Sequence, residues 1–203
     1  MESTMTDQLT SEEKQTLLRL AREAMEHAVR GKTLCVPPLI NGSLTPRLRE
    51  NGASFVTLTI NDNLRGCIGA LEAYQPLAED VREHAVAAAL EDSRFHPVVE
   101  SELSKIRLEV SRLTEPHLLE YSSSEELLAK LRPHVDGVIL KDDYRRATFL
   151  PQVWEKIPDP VDFLDHLCAK MGAKPHSWQS TKLQVYVYQV EEFHEKNYGV
   201  PHK

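Results

Sequence analysis

At 203 residues and 41% hydrophobic, the chain can bury a substantial core in one domain or in two closely packed lobes. A formal net charge of −7, with basic residues scattered among acids, argues against a phosphate-backbone binder. No stretch approaches the roughly 20 apolar residues of a membrane-spanning helix. The polar start, Met1 to Asp7, has no positive segment leading into an apolar run, so a cytoplasmic protein is expected.

In chain order, Thr10-Ser11-Glu12-Glu13 reads as a capping box opening an amphipathic helix, with Leu17, Leu20, Ala21, Ala24 and Ala28 at helical spacing and Gly31 as its stop. Residues 35–52 read as a loop, broken by Pro37, Pro38, Gly42, Pro46 and Gly52. Residues 53–60 alternate, with Val56, Leu58 and Ile60 inward, and Asn61-Asp62-Asn63 supplies a turn into an antiparallel partner over 64–71. Pro76 is placed as the first helical residue of a segment running to Glu91, whose buried stripe is Leu77, Val81, Ala85, Ala88 and Ala89. Ile106, Leu108 and Val110 predict a half-buried strand. A short helix capped by Ser122-Ser123-Ser124 follows, running through Leu131. A second hairpin pairs 138–140 with 147–150, and helical segments are predicted at 152–156 and 161–171, with Gly172 as the stop. A last strand is predicted over 183–190. Strands outside any regular βαβ alternation indicate an α+β fold with a mostly antiparallel sheet and flanking helices.

The chemistry concentrates in Leu64-Arg65-Gly66-Cys67-Ile68-Gly69, on the return strand of the first hairpin. In an extended segment, Leu64, Gly66 and Ile68 share one face while Arg65 and Cys67 share the other. With Leu64 and Ile68 on the core side, thiol and guanidinium face a groove or solvent, a pairing that favours thiolate. Gly66 and Gly69, lacking Cβ, permit a sharp bend or the close approach of a ligand. The plainer alternative is a small buried cysteine in a crowded strand. Glu72, just beyond, is either a base or an orienter of Arg65, or simply an exposed glutamate at a strand end. Cys35, Cys67 and Cys168 are an odd number at wide spacing with no Cys-x-x-Cys, so no disulfide framework and no zinc site is indicated. Cys168 is placed in a helical core stripe, and Cys35 lies in the loop with no assigned role.

Asp80 with His84, and Asp162 with His166, are i,i+4 pairs on predicted helices that read as solvated charge pairs rather than metal ligands. No His-Glu-x-x-His or two-His-one-carboxylate pattern is present, and no Gly-rich phosphate loop, nucleophile elbow or dinucleotide fingerprint, so neither a metal nor a cofactor is expected.

The Leu64–Gly69 hexapeptide resembles the signature of the AMMECR family, whose bacterial members are called AmmeMemoRadiSam system protein A. The likeness continues through Ala88-Ala89-Leu90-Glu91-Asp92-Ser93-Arg94-Phe95, Asp136-Gly137-Val138, Ala147-Thr148-Phe149-Leu150-Pro151-Gln152-Val153-Trp154, and Phe163-Leu164 into Leu167-Cys168-Ala169-Lys170. It departs at His96, where another proline is expected before Pro97. The resemblance implies two unequal lobes around a cleft lined by the signature, and a single domain over 9–195 between a disordered tail at 1–8 and a C-terminal tail at 196–203. It also implies partners, a Memo-like protein of the extradiol-dioxygenase type and a radical S-adenosylmethionine enzyme, while leaving the activity open. On this reading Cys67, Arg65 and Glu72 are the candidate catalytic residues. Gly66, Gly69, Asp92, Arg94, Phe95 and Thr148 are the candidate ligand contacts; a salt bridge that merely holds the loop is the alternative for Asp92 and Arg94, and a cap for Thr148. The expected function is binding of a small molecule or a partner segment, with a Cys67-dependent enzyme as the alternative and a nucleic-acid adaptor as a distant third.

Overall fold

A computed structural model describes residues 8–31, 44–180 and 183–195. Cys35, half of the predicted 35–52 loop and nearly all of both predicted tails lie outside those residues, and the described half of that loop carries a short helix at Pro46–Arg49 and the start of a strand at Asn51. The elements are, in order, α1 (Ser11–Gly31), α2 (Pro46–Arg49), β1 (Asn51–Ile60), β2 (Asn63–Gly69), β3 (Gln75–Pro76), α3 (Leu77–Leu90), a 3-10 turn at Glu100–Lys105, β4 (Ile106–Leu113), β5 (His117–Leu118), α4 (Ser124–Lys130), β6 (Gly137–Lys141), β7 (Arg146–Phe149), a 3-10 turn at Pro151–Glu155, α5 (Pro160–Lys170), α6 (Ser177–Ser180), β8 (Gln184–Tyr188) and β9 (Val190–His194). All the strand pairings with a defined register are antiparallel, and the fold is α+β. The chain divides into two compact units, Met1–Leu113 with Glu191–Lys203, and Thr114–Val190.

In the first unit the sheet runs β2-β1-β4-β9, with β3 also pairing to β1. The predicted capping box forms: Thr10 N–H donates to Glu13 Oε2 at 2.8 Å and Glu13 N–H donates to Thr10 Oγ1 at 3.2 Å, satisfying two of the helix's orphan donors. Asn61 and Asp62 both take positive φ, 51° and 62°, the geometry of the primed turn that matches the twist of two hairpin strands. The core face of the sheet is made by Val56 and Leu58 of β1 and Ile106, Leu108 and Val110 of β4, all fully buried with Leu17, Leu20 and Met25 of α1 and Leu77, Val81 and Ala85 of α3. Small residues along α3 let it lie close to the sheet. Pro76 stands just outside α3, in the short bridge to Asn51 of β1, rather than at its first turn.

Polar side chains are also buried in this unit. Arg22 of α1 is ion-paired with Glu195 and donates to the carbonyls of Leu103 and Ile106 at 3.2 and 2.9 Å, tying the helix to the start of β4. Asp80 and His84, which read as a solvated pair, are in fact buried: α3 sinks on every side but one, and Ser54 Oγ of β1 donates to Asp80 Oδ2 at 2.6 Å. The i,i+4 spacing is the same for a buried and an exposed pair, so sequence carries no mark of the difference.

The second unit holds the sheet β5-β8-β6-β7. Its core centres on Trp154 stacked on Phe163, centroids 3.6 Å apart, with the indole N–H donating to the Asp136 carbonyl at 2.7 Å. Cys168 is fully buried here, as its helical spacing indicates, and burial pushes its thiol pKa up. Gly137 is required by Tyr188, because a Cβ at 137 would lie 2.4 Å from the ring. The strand predicted over 183–190 forms as β8, which pairs with β5 and β6 in this sheet, and a further, unpredicted strand, β9, follows it and joins β4 in the other.

Candidate functional site

The register of β2 on β1 places the motif. Val56 pairs with Ile68 and Leu58 with Gly66 on the core face, and Thr57 pairs with Cys67 on the opposite face. The next pair is Thr59 with Leu64, so Arg65 is an extra residue, a β-bulge. The bulge shifts the alternation by one, and Leu64 falls on the same face as Cys67, 44% exposed, instead of on the core side where strict period-2 geometry puts it.

Arg65, at the bulge, is bound by a carboxylate from a distant part of the chain. Its Nε and Nη2 donate to the two carboxylate oxygens of Glu102 at 2.9 and 3.1 Å, a two-point charge-assisted pair. That contact holds the Glu102 carboxyl below the usual carboxylate range against the opposing effect of burial, and the Val99 N–H at 2.9 Å adds to it. The carboxylate that orients Arg65 is thus Glu102, supplied from 37 positions along the chain, and not the exposed Glu72. Only the fold brings Glu102 here; nothing in its local sequence marks it.

The cation that reaches Cys67 is Arg94. Just after α3 the chain turns back on itself, with Phe95 N–H donating to the Asp92 carbonyl at 3.0 Å and Val98 N–H to that of Ala89 at 2.8 Å. This lays Asp92 and Arg94 along the free edge of β2. Cys67 N–H donates to Asp92 Oδ2 at 2.9 Å and Arg94 Nη2 donates to the Cys67 carbonyl at 3.1 Å. Between themselves, Arg94 Nε reaches Asp92 Oδ1 at 2.9 Å and Nη2 reaches Oδ2 at 2.6 Å. Arg94's hydrogen bonds hold the Asp92 carboxyl far below the ordinary range; burial opposes them and the Cys67 and Arg94 amides assist. Arg94 in turn is raised above the usual arginine value, first by Asp92 and further by the charge and hydrogen bonding of Cys67. The salt bridge read as holding the loop is therefore real, and it also grips the motif.

Cys67 is half-buried as a residue, and its sulfur accepts a hydrogen bond from Thr57 Oγ1 at 3.3 Å. Gly66 faces α3: a Cβ there would lie 2.1 Å from the Ala88 carbonyl oxygen, so the missing side chain lets strand and helix touch. A Cβ at Gly69 would meet the Phe55 ring and the Ser54 carbonyl oxygen, both at 2.4 Å. Both glycines are explained by packing. Phe95 is half-buried, its ring centroid 5.5 Å from the Arg94 guanidinium carbon. Arg65, Ser93, Arg94, Phe95 and His96 line a surface depression of about 420 Å³. Thr148 belongs to the second unit, where its buried hydroxyl shares a 3.1 Å hydrogen bond with Tyr188 OH.

Arg65, Gly66, Cys67, Gly69, Asp92, Arg94 and Phe95 all belong to the first unit, around the β2 edge. Sequence reasoning missed Glu102 and Thr57; the latter is legible in retrospect as the cross-strand partner of Cys67. Among the described residues, no group of three His, Cys, Asp or Glu side chains is arranged to hold a metal ion, and no helix is long and apolar enough to cross a membrane.

Comparison with known proteins places these features in a family. Protein MK0488 of Methanopyrus kandleri is 39% identical over 197 residues, covering 95% of this chain and 93% of its own. A protein of Methanothermobacter thermautotrophicus is 38% identical over 193 residues, covering 92% and 96%. The crystal structure of the uncharacterized protein PH0010 from Pyrococcus horikoshii superposes with a TM-score of 0.74 at 33% identity, covering 95% of this chain and 96% of that one. The family described as AMMECR1 matches residues 18–193, which include the β2 motif, the Asp92–Phe95 loop and the Trp154 core, and the chain belongs to it.

Proposed function

We propose that the chain is a binding component that seats a small molecule or a partner segment where β2 meets the Asp92–Phe95 loop, and that it works beside a Memo-like protein of the extradiol-dioxygenase type and a radical S-adenosylmethionine enzyme in the cytoplasm. One observation supports the reading above others: Asp92 and Arg94 close on the backbone of Cys67, making one surface out of two motifs that are 25 positions apart. A buried carboxylate holds an exposed guanidinium in a fixed direction there, the kind of pre-orientation that binding sites need and loop anchoring alone does not. Native co-purification of the tagged full chain with the Memo-like protein tests it. Retention that falls in Cys67→Ala and Arg94→Ala, both checked for folding, is expected; retention indifferent to both substitutions overturns the reading.

A second reading, a thiol-dependent enzyme with Cys67 as nucleophile, draws on the Thr57 hydroxyl that donates to the sulfur and on the nearness of Arg94. In it Arg94 takes the part that sequence reasoning gives to Arg65. Its test is the alkylation rate of Cys67 in the wild type and in Thr57→Val, and equal rates remove it.

A further inference from the structure

We infer that the depression bounded by Arg65, Ser93, Arg94, Phe95 and His96 is an oxyanion-binding subsite, and that the ligand of the proposed site carries a carboxylate or phosphate group; the inference rests on that reading and sharpens it. Two guanidinium groups wall the same small depression. Each is held by a carboxylate through Nε and Nη2, Arg65 by Glu102 and Arg94 by Asp92, so Nη1 of each stands outside those bonds. A guanidinium carries five N–H donors in a rigid fork, and a carboxylate bound to one edge fixes the direction in which the remaining donors point.

The layering around Arg94 is directional. The Asp92 side chain is 4% exposed and that of Arg94 55%, so the negative group lies beneath and the positive group faces out. Such an arrangement presents a fixed donor edge at the surface of a protein whose net charge is −7. The volume, about 420 Å³, falls in the range of sites for small molecules, roughly 300–1,000 Å³. Phe95 gives the wall an apolar residue, against which the carbon skeleton of a small organic anion packs, and Ser93 adds a hydroxyl-bearing residue to the lining. An ion pair built only to anchor the loop needs no second arginine on the same depression.

The test uses the full chain, isotopically labelled, titrated with inorganic phosphate in one arm and succinate in the other, at ionic strength held constant with sodium chloride. Saturable shifts of the 93–96 amides and of the Arg65 and Arg94 side-chain N–H signals are expected. Arg94→Gln should weaken them roughly tenfold or more, since a charge-assisted contact is lost. Arg65→Gln, which leaves the Asp92–Arg94–Cys67 clamp intact, gives an independent reading of the same loss. A response in either arm supports the inference and tells phosphate from carboxylate. No saturable shift in either arm overturns it, as do shifts undiminished in both variants. Partner retention measured in parallel keeps the two ideas apart: anions that fail to bind while retention still depends on Arg94 defeat the oxyanion subsite alone, whereas retention indifferent to Cys67 and Arg94 defeats the wider reading.

Discussion

Asp92 accepts a hydrogen bond from the main-chain N–H of Cys67 at 2.9 Å, and this contact takes the place that a further strand would occupy beside β2. The Cys67 carbonyl receives Arg94 in the same way, so one ion pair satisfies both polar groups of an edge residue that would otherwise invite pairing with another chain. Protecting the edge and holding a side chain for binding are here the work of the same two residues.

Asp92→Ala strands the Cys67 N–H and releases Arg94, and should lower stability by about 1–3 kcal/mol at neutral pH in urea denaturation. The ionic part of that difference has a defined pH dependence. Asp92 is depressed in the folded protein, so its contribution is complete above the unfolded value of about 3.9 and is lost as pH falls below it towards the folded value. The gap between wild type and variant should therefore narrow below about pH 4. A gap that stays constant into strong acid would show that the pair contributes nothing through its charge.

Gly66→Ala drives a Cβ into the Ala88 carbonyl oxygen, and neither neighbour is the far end of a flexible side chain. A loss of about 1–3 kcal/mol or more is expected, with the β2 amides and the C-terminal half of α3 affected together in hydrogen exchange. A neutral substitution would refute the close contact of β2 with the Ala88 carbonyl.

Alkylation should separate the thiols. In a Cys35→Ser background, iodoacetamide under native conditions should modify Cys67, which is half-buried, well before Cys168, which is sealed in the second unit with its pKa raised by burial. Peptide mapping by mass spectrometry reads the order. Equal labelling of the two would contradict the packing of α5.

Trp154→Ala removes the ring stacked on Phe163 together with the donor to the Asp136 carbonyl, and about 3–5 kcal/mol should be lost. The loss should appear in the unfolding of residues 114–190, followed through Trp178 fluorescence, and an unchanged midpoint there would refute the assignment of this ring to the core.

Much of the architecture is legible in residue periodicity, because burial imposes it. The stripe Leu17, Leu20, Ala21, Ala24 and Ala28 makes α1 plain, and Val56 and Leu58 facing Leu108 and Val110 make the central sheet plain. The Asn61-Asp62 turn is equally plain, since positive φ suits those residues. What stayed hidden depends on long-range placement. A bulge changes hydrogen-bond register without altering composition, so Leu64 reads as inward although it faces out. Glu102 becomes the partner of Arg65 only once the 3-10 turn before β4 is folded beside β2. β8 is legible, but β9 at Val190–His194 is not, because its residues join β4 only once the distant sheet has formed. At the candidate site, Cys67, Asp92 and Arg94 lie in recognisable motifs, whereas Glu102 and Thr57 join them only through the fold, as does the contact of Arg94 with the Cys67 main chain.

The extra residue in β2 has a consequence for how this region tolerates insertion and deletion. Removing Leu64 or Arg65 would restore an uninterrupted ladder with β1, a repair by every local measure, yet it would delete or re-aim the guanidinium that Glu102 now holds. Sheet regularity and the surface at its edge are thus in opposition at this point, and a more ideal hairpin would be a protein with half of its arginine pair gone.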